Sequence, residues 1–298
     1  MRQELLKETG ATAIRALLAS TAEALRGVDA PRSEAELLLA HALGTDRAGL
    51  LAASDAALTG EAREGFKELL ARRARGEPMA YLLGRKEFWS LPLRVTPDVL
   101  IPRPETELLV EWGLEILNSS FPRRRESSFS ALDLGTGSGA VALALACERP
   151  DLHVAAVDVS PEALAVARRN AADLRIGNVT FKQSEFRQEL DSCLRENDES
   201  LELIASNPPY VAEGDPHLND LRFEPAIALT AGPDGLRDLR TIVAGAPARL
   251  KPGGWLLVEH GAEQGAAVRE LFTAAGFTEV ETRLDLAALP RATGGRHG

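Results

Sequence analysis

The residues best placed to do chemistry follow an apolar run, LELIA, that is typical of a buried strand. They are Ser206, Asn207, Pro208, Pro209 and Tyr210. Proline lacks the N–H that continues a strand ladder, so a strand-ending turn explains one proline. The amide, the second proline and the phenol remain unexplained by a turn, and together they predict a binding segment.

A planar nitrogen is the substrate that this segment could activate. The lone pair of an amide or exocyclic amine is delocalised, so such a nitrogen is a poor nucleophile. The side-chain oxygen of Asn207 and the carbonyl of Pro208 can accept its two N–H groups and favour a rehybridised, nucleophilic form. The prolines restrict the backbone, and Tyr210 offers a flat wall. We therefore predict that Asn207, Pro208 and Tyr210 are catalytic and that residues 207–210 bind a planar amide or an adenine amine.

A glycine-rich segment near the middle of the chain predicts a cofactor site. After the strand-like ALDL it contains Gly135, Thr136, Gly137, Ser138 and Gly139. Glycines permit a tight turn and close approach of a ligand just before a helix N-terminus. The next strand-like run, HVAAVDV, contains Asp158 near its end, and this carboxylate suits the hydroxyls of an adenosine ribose. These features fit a nicotinamide dinucleotide as well as S-adenosylmethionine.

Two observations favour S-adenosylmethionine over a dinucleotide. Asp133 stands before the glycines, where a negative charge repels a pyrophosphate but attracts a cationic methionine end. The NPPY segment follows another strand of the same predicted sheet and has no general use in hydride transfer. Methyl transfer to a held nitrogen would depend on positioning and desolvation and would need no strong base.

The hydrophobic pattern divides the chain into three parts. Residues 1–85 are rich in Ala, Leu, Glu and Arg and predict a small all-helical domain. Residues 86–104, with alternating apolar positions and prolines, predict a hairpin or an extended linker. Residues 105–298 alternate strand-like and helix-like runs, which predicts a doubly wound α/β domain with a parallel sheet and a ligand at the strands' carboxyl ends.

Local signals predict where several elements begin and end. Ser33 and Glu36 match a capping box, and Gly44 is a plausible helix terminator. Thr59 can cap a second helix, and Pro104 suits the first position of a helix in the second domain. The Ser- and Arg-rich residues 118–130 predict a solvated loop without a catalytic role.

Composition narrows the class of protein. No apolar run approaches the ~18 residues that span a bilayer, so we expect no membrane segment. Two cysteines and five scattered histidines lack metal-ligand spacing, so we expect no metal site and a cytoplasmic location. Residues 1–85 carry equal numbers of acidic and basic side chains, so the net charge of −10 belongs to the rest of the chain. This acidic balance disfavours direct binding of nucleic acid.

The segments IPRPETE and RFEPAIAL, together with LDLGTGSGAVALALA and SNPPY, carry a family resemblance. With these segments the chain resembles the release factor glutamine methyltransferase family over nearly its whole length. The resemblance implies a Rossmann-like class I methyltransferase fold with an N-terminal helical domain. It also implies S-adenosylmethionine as cofactor, and methylation of the glutamine side-chain nitrogen in the Gly-Gly-Gln loop of peptide chain release factors.

The resemblance further assigns roles to residues. It implies that Gly135 to Gly139 and Asp158 bind the cofactor, that Asn207 touches both cofactor and substrate, and that the helical domain helps to hold the release factor. Phe186 matches the position of a family aromatic residue near adenine. We expect the protein to act as a monomer.

Two related activities and one inactive role remain as alternatives. An adenine-N6 methyltransferase of DNA or RNA would also use NPPY, but it requires a basic face and base-flipping elements. A glutamine methyltransferase of a ribosomal protein is a close alternative, and only the family-like segments argue against it. A non-catalytic binding module would be expected to lose Asn207 or the glycines, and both are present.

Overall fold

The computed structural model describes residues 12–53, 56–58, 60–119, 129–191 and 201–298. The chain divides into two compact units, Met1–Gly84 and Arg85–Gly298. Each unit contains its own core of buried apolar side chains.

The first unit is mainly helical. Its described helices are α1 (Ile14–Ala24), α2 (Pro31–Leu43), α3 (Arg47–Ala52), α4 (Gly60–Ala74) and α5 (Met79–Leu83). Two short strands, β1 (Thr12–Ala13) and β2 (Ala57–Leu58), pair antiparallel and were not predicted. Leu38, Leu39 and Phe66 are almost fully buried and form the centre of this unit's core.

The predicted start of α2 was wrong, whereas its predicted end is confirmed. The helix begins at Pro31, and the preceding Ala30 provides no side-chain cap. Proline fits a first helical turn because its missing N–H has no intrahelical partner there. Gly44 ends the helix in the left-handed conformation, with φ of 62°. The predicted cap Thr59 lies outside the described residues.

The second unit opens with a hairpin and a helix. Strands β3 (Arg85–Phe88) and β4 (Leu91–Arg94) pair antiparallel. A 3₁₀ turn, Pro104–Thr106, leads directly into α6 (Glu107–Ser119), with Pro104 at its start as predicted. The loop predicted at 118–130 is shorter than expected, because residues 118 and 119 belong to α6 and the next strand begins at Phe129. Residues 120–128 lie outside the described part of the chain.

A seven-stranded sheet forms the body of the second unit. Its strands are β5 (Phe129–Leu134), β6 (Leu152–Asp158), β7 (Val179–Gln183), β8 (Leu201–Ser206), β9 (Leu250–Glu259), β10 (Thr278–Leu284) and β11 (Pro290–Arg296). They lie in the order β10-β11-β9-β8-β5-β6-β7. The five strands from β9 to β7 are parallel, and the order reverses between β5 and β8. Open α/β sheets bind ligands at such a reversal.

Helices cover both faces of this sheet, as a doubly wound fold requires. The helices that follow the strands are α7 (Ala140–Glu148), α8 (Pro161–Leu174), α9 (Phe186–Asp191), α10 (Arg237–Gly245) and α11 (Gly265–Ala274). Trp112 of α6 packs with α7 in one core. Ile242 of α10 and Phe272 of α11 belong to the other core. The predicted Rossmann-like fold is confirmed.

The prediction of a wholly parallel sheet was wrong at one edge. Strand β11 was not predicted, and it lies antiparallel to both β9 and β10. Its sequence, PRATGGR, contains a proline and two glycines, which are residues depleted in strands. Gly294 and Gly295 leave room for neighbours: a Cβ at Gly294 would lie 2.5 Å from Trp112, and one at Gly295 would lie 2.7 Å from Phe272.

Candidate active site

The carboxyl ends of β5, β6 and β8 border a cavity of about 390 Å³. It lies where the strand order reverses, the place at which the sequence predicted a ligand. Of the predicted site residues, Gly135, Thr136, Gly137, Ser138, Asp158, Phe186, Asn207 and Pro209 line this cavity. Segments far apart in the sequence therefore meet at one site, although their individual roles remain predictions.

The glycine loop exposes its backbone to the cavity. Gly135 and Gly137 have positive φ values of 75° and 54°, which other residues rarely adopt. A Cβ at Gly137 would meet no atom within 4 Å, so open space lies there. Gly139 is not among the lining residues; its Cβ would lie 3.0 Å from Leu143 and 3.3 Å from Ala167, so a side chain would crowd the packing of α7 against α8.

Asp133 holds the glycine loop from beneath. Its Oδ2 accepts hydrogen bonds from the hydroxyl of Thr136 at 2.6 Å and from the N–H of Ala142 at 3.1 Å. Burial raises the pKa of Asp133 to about 6, which these two hydrogen bonds oppose. Asp133 also lines the cavity. The carboxylate therefore stabilises the loop and the start of α7 in addition to placing negative charge beside the site.

Asp158 connects the end of β6 to the glycine loop. Its Oδ2 accepts the N–H of Gly137 at 2.8 Å, and its Oδ1 accepts the N–H of Ser160 at 3.0 Å. Burial raises its pKa, against these backbone hydrogen bonds. Each carboxylate oxygen can accept a second hydrogen bond. The two backbone hydrogen bonds that orient Asp158 therefore leave one acceptor position on each oxygen for a ligand hydroxyl. The helix cap beyond it is Ser160, whose hydroxyl accepts the N–H of Ala163.

Phe186 begins α9 and lies beside the glycine loop. A Cβ on Gly135 would come within 3.2 Å of its ring, which is tighter than an ordinary contact, and the positive φ of 75° also favours glycine here. Phe186 lines the cavity with Val159 and Ile227. These apolar side chains form a wall suited to one face of a planar ring.

Asn207 is held by a hydrogen-bonded chain of buried groups. Its Nδ2 donates to the hydroxyl of Thr106 at 3.0 Å, and that hydroxyl donates to Oε2 of Glu259 at 2.6 Å. The hydroxyl of Tyr210 donates to Oε1 of the same carboxylate at 3.0 Å. Thr106 and Glu259 are 4% and 1% exposed, so the chain is shielded from solvent.

Tyr210 and Pro208 flank the cavity-lining Pro209 in the chain but are not themselves among the lining residues, and Pro208 is buried. Burial, and then the neighbouring carboxylate of Glu259, raise the pKa of Tyr210 well above its usual value, so its phenol remains protonated and cannot serve as a base. The carbonyl of Tyr210 accepts from the side chain of Gln264 at 3.0 Å and approaches Gly235 so closely that a Cβ there would lie 2.2 Å away.

An ion pair links the two segments that carry the family resemblance. The carboxylate of Glu224, in RFEPAIAL, accepts a hydrogen bond from the guanidinium of Arg103, in IPRPETE. Its other oxygen accepts the N–H of Ile101 at 3.0 Å. Glu224 is buried. This contact fixes the chain just before Thr106 and so helps to place the residue that contacts Asn207.

The charges around the cavity fit a cationic ligand better than a pyrophosphate. The acidic lining residues are Asp98, Asp133, Asp158, Glu185 and Asp238, and the basic ones are Arg187 and Arg237. The guanidinium of Arg237 is paired with Asp238. These carboxylate acceptors and apolar side chains thus suit a ribose with two hydroxyls, a flat ring and a sulfonium, which are the parts of S-adenosylmethionine.

Comparison with known proteins identifies the family. A family model described as PrmC N-terminal domain matches residues 16–84, and one described as Methyltransferase domain matches residues 125–285. The release factor glutamine methyltransferase of Xylella fastidiosa (strain Temecula1) is 50% identical over 283 residues, covering 94% of this chain and 97% of the relative. That of Burkholderia pseudomallei (strain K96243) is 50% identical over 285 residues, covering 93% and 96%. The chain belongs to the release factor glutamine methyltransferase family.

Further comparisons agree with this assignment. The release factor glutamine methyltransferase of Escherichia coli (strain K12) is 46% identical over 275 residues, covering 92% of this chain and 95% of the relative. Among solved structures, a delta-N METTL16 methyltransferase domain has a TM-score of 0.52 at 17% identity, covering 78% of this chain and 99% of that one. The hMettl16 catalytic domain has a TM-score of 0.55 at 14% identity, covering 78% and 82%. These two likenesses support the fold alone.

Sequence reasoning missed two members of the site of this methyltransferase. Neither residue received a role, although Thr106 lies in IPRPETE, which carries the family resemblance, and Glu259 is the last residue of β9. The available signal for Glu259 was an acidic residue at the carboxyl end of a buried parallel strand, where ligands bind. Thr106 offered no comparable signal, because a threonine in a first helical turn is ordinary.

No helix in the described part of the chain is long and apolar enough to cross a membrane. Over the same residues, no group of three or more His, Cys, Asp or Glu side chains is arranged to hold a metal ion.

Proposed function

We propose that this protein methylates the side-chain amide nitrogen of the glutamine in the Gly-Gly-Gln motif of peptide chain release factors. The observation that carries the proposal is the position of Asn207. It lines the cavity beside the glycine loop, and Thr106 holds its amide nitrogen. The carbonyl oxygen of Asn207 is then the atom of that amide available to a substrate N–H.

The methyl donor is S-adenosylmethionine, which supplies an electrophilic methyl group when bound. We propose that Gly135, Gly137 and Asp158 hold it, with the Asp158 carboxylate accepting ribose hydroxyls. Thr136 and Ser138 shape the loop between them. Phe186 would pack on the planar ring of the adenine. The acidic lining would attract the positively charged sulfonium of the donor more strongly than the neutral sulfur of the product.

The residues of the NPPY segment would position the substrate nitrogen. Asn207 Oδ1 and the carbonyl of Pro208 would accept its two N–H groups, and this contact strengthens as the nitrogen becomes pyramidal. Pro209, on the cavity wall, would restrict access of water. Tyr210 would act as a rigid support, since its protonated phenol is bonded to Glu259.

The partner of this reaction would be the protein substrate itself. We propose that residues 1–85 form a substrate-recognition domain that helps to hold the release factor, that 86–104 connect it, and that 105–298 transfer the methyl group. We further propose that the enzyme works in the cytoplasm, as a monomer, without contacting nucleic acid directly. The acidic balance of the second domain supports the last point.

Radiolabel transfer tests the proposed substrate against its alternatives. Purified protein would be incubated with labelled S-adenosylmethionine and, separately, with a release factor, with DNA or RNA, and with ribosomes. Label in the release factor alone is the expected result. Label in nucleic acid would indicate an adenine methyltransferase, and label in a ribosomal protein would indicate the sibling glutamine methyltransferase.

A further inference from the structure

The chain Asn207–Thr106–Glu259 has only one consistent arrangement of protons while Glu259 is ionised. A threonine hydroxyl carries a single proton, and a carboxylate can only accept. The 2.6 Å contact between Thr106 Oγ1 and Glu259 Oε2 therefore commits that proton to Glu259. Toward Asn207 the hydroxyl oxygen can then act only as an acceptor.

This commitment determines which end of the Asn207 amide faces Thr106. The NH₂ and C=O ends of a side-chain amide have nearly the same shape, so packing alone does not distinguish them. Only the NH₂ end can donate to Thr106 Oγ1, from which it lies 3.0 Å away. The reversed amide would place two acceptors against each other and an NH₂ group toward the substrate.

We propose that Glu259 is a positioning residue that acts through Thr106 to make Asn207 present its carbonyl oxygen to the substrate nitrogen. The substrate named here rests on the proposed function, whereas the orientation of the amide does not. Reversal would set the NH₂ of Asn207 against the NH₂ of a glutamine, and neither could accept the other's proton.

The same carboxylate also supports the other end of the NPPY segment. Its Oε1 accepts the hydroxyl of Tyr210 at 3.0 Å. Both oxygens of one buried group thus hold residues 207 and 210, and the chain between them is restricted by two prolines. Glu259 therefore controls both the direction of the amide and the position of the segment.

The environment of Glu259 makes this arrangement sensitive to pH. Burial raises its pKa to about 7, whereas hydrogen bonds from Thr106 and Tyr210 and the positive charge of Arg291 oppose the rise and the negative charge of Glu105 adds to it. Tyr210 stays protonated over this pH range. Arg291, which donates a hydrogen bond to Asp285, stays charged. A protonated Glu259 can donate to Thr106, whose own proton can then turn toward Asn207. Activity should therefore be present above this pKa and fall as the pH falls through it.

Substitutions at Glu259 and Thr106 test the proposal by steady-state kinetics. Glu259→Gln can donate to Thr106, so kcat should fall roughly 10- to 100-fold, with little change in the affinity for S-adenosylmethionine. The pH limb near 7 should disappear. Thr106→Val removes the acceptor and should cause a similar loss, and Thr106→Ser should recover most of it. The double variant should be no worse than the poorer single one, because both changes break one chain.

Glu202→Gln is the matched control for removing a buried carboxylate. Glu202 is also buried, near the opposite end of the sheet, where it accepts from Ser130 N–H and pairs with Lys251. This variant should lower the melting temperature but keep kcat and its pH limb. If Glu259 had only a structural role, Glu259→Gln would behave in the same way, and that result would overturn the proposal.

A spectroscopic readout separates failure of this inference from failure of the proposed function. The ¹H–¹⁵N side-chain resonance of Asn207, assigned by its loss in Asn207→Ala, should shift with pH near 7 in the native protein. It should not shift in Glu259→Gln or Thr106→Val. A pH-independent Asn207 resonance in the native protein would refute the inference whatever the substrate. A titrating resonance in a protein that labels no release factor would refute the proposed function and keep the inference.

Discussion

Asp158 connects two segments of the site and also lines the cavity. Its two oxygens accept the N–H groups of Gly137 and Ser160, and its remaining acceptor capacity is available to a ribose. We expect Asp158→Asn to weaken S-adenosylmethionine binding by roughly 10- to 150-fold, because hydrogen bonds to a charged group are lost. Titration calorimetry measures this directly.

Asp173→Asn provides the matched control for Asp158→Asn. Asp173 belongs to α8 and forms an exposed ion pair with Arg94, a kind of contact that contributes about 0–1 kcal/mol. Its substitution should leave the affinity unchanged. Equal affinities in both variants would remove Asp158 from the ribose role.

At this same residue scale, the sequence predicted the side chains that line the cavity better than the side chains that support them. Asn207 and Asp158 follow or end strand-like runs, so their meeting at the carboxyl edge of a parallel sheet could be inferred. Thr106 is 101 residues from Asn207 and 153 residues from Glu259 along the chain. A hydrogen bond over such a separation depends on how the turn before α6 packs against the sheet that contains β9, and no local pattern encodes it.

At the scale of elements, the parallel strands were predictable and β11 was not. Apolar runs such as LELIAS are buried on both faces, and their β-propensity agrees with their position. Strand β11 contradicts its local propensity because small residues are needed beside Trp112 and Phe272. Tertiary packing therefore overrides the local preference at this edge.

The close packing of β11 leads to a stability prediction. In Gly294→Ala the new methyl group would lie 2.5 Å from Trp112 and 2.6 Å from Leu257. Overpacking of this kind costs about 1–3 kcal/mol, so the melting temperature should fall by several degrees. Gly177→Ala is the control, because a Cβ there meets no atom within 4 Å, and it should change stability by less than about 0.5 kcal/mol. Similar melting temperatures for both variants would contradict the packing argument.

At the scale of the whole molecule, the division into two units allows cofactor binding and protein-substrate binding to be tested separately by truncation. Each unit has its own apolar core, and residues that line the cavity all belong to Arg85–Gly298. We expect a chain beginning at Lys86 to bind S-adenosylmethionine with nearly native affinity. It should methylate an intact release factor with a much lower kcat/KM, because contacts with the helical unit are lost.

The kcat/KM of the truncated chain can be compared with that of the full chain only if the truncated chain is folded. Circular dichroism and cofactor titration establish whether it is. A truncated chain that binds the cofactor and retains the native kcat/KM would show that residues 1–85 do not recognise the substrate. The helical character of this unit could be inferred from its hydrophobic pattern, whereas a role in recognition was implied only by the family resemblance. Recognition depends on the surface that the unit presents to a partner. The hydrophobic periodicity of the sequence identifies the buried faces of helices but does not describe that surface.

We expect Asn207 to hold the glutamine amide during methyl transfer. The most direct test is mass spectrometry of the tryptic peptide containing the Gly-Gly-Gln motif, after reaction with native protein, Asn207→Ala or the control Asn118→Ala. Asn118 is an exposed residue near the end of α6 that accepts a hydrogen bond from Arg149. The native protein and the control should add one methyl group to the glutamine, whereas Asn207→Ala should lose roughly 10²- to 10³-fold in rate. Methylation by Asn207→Ala at the native rate would show that Asn207 does not hold the amide, and a methyl group on any other residue would contradict the proposed substrate.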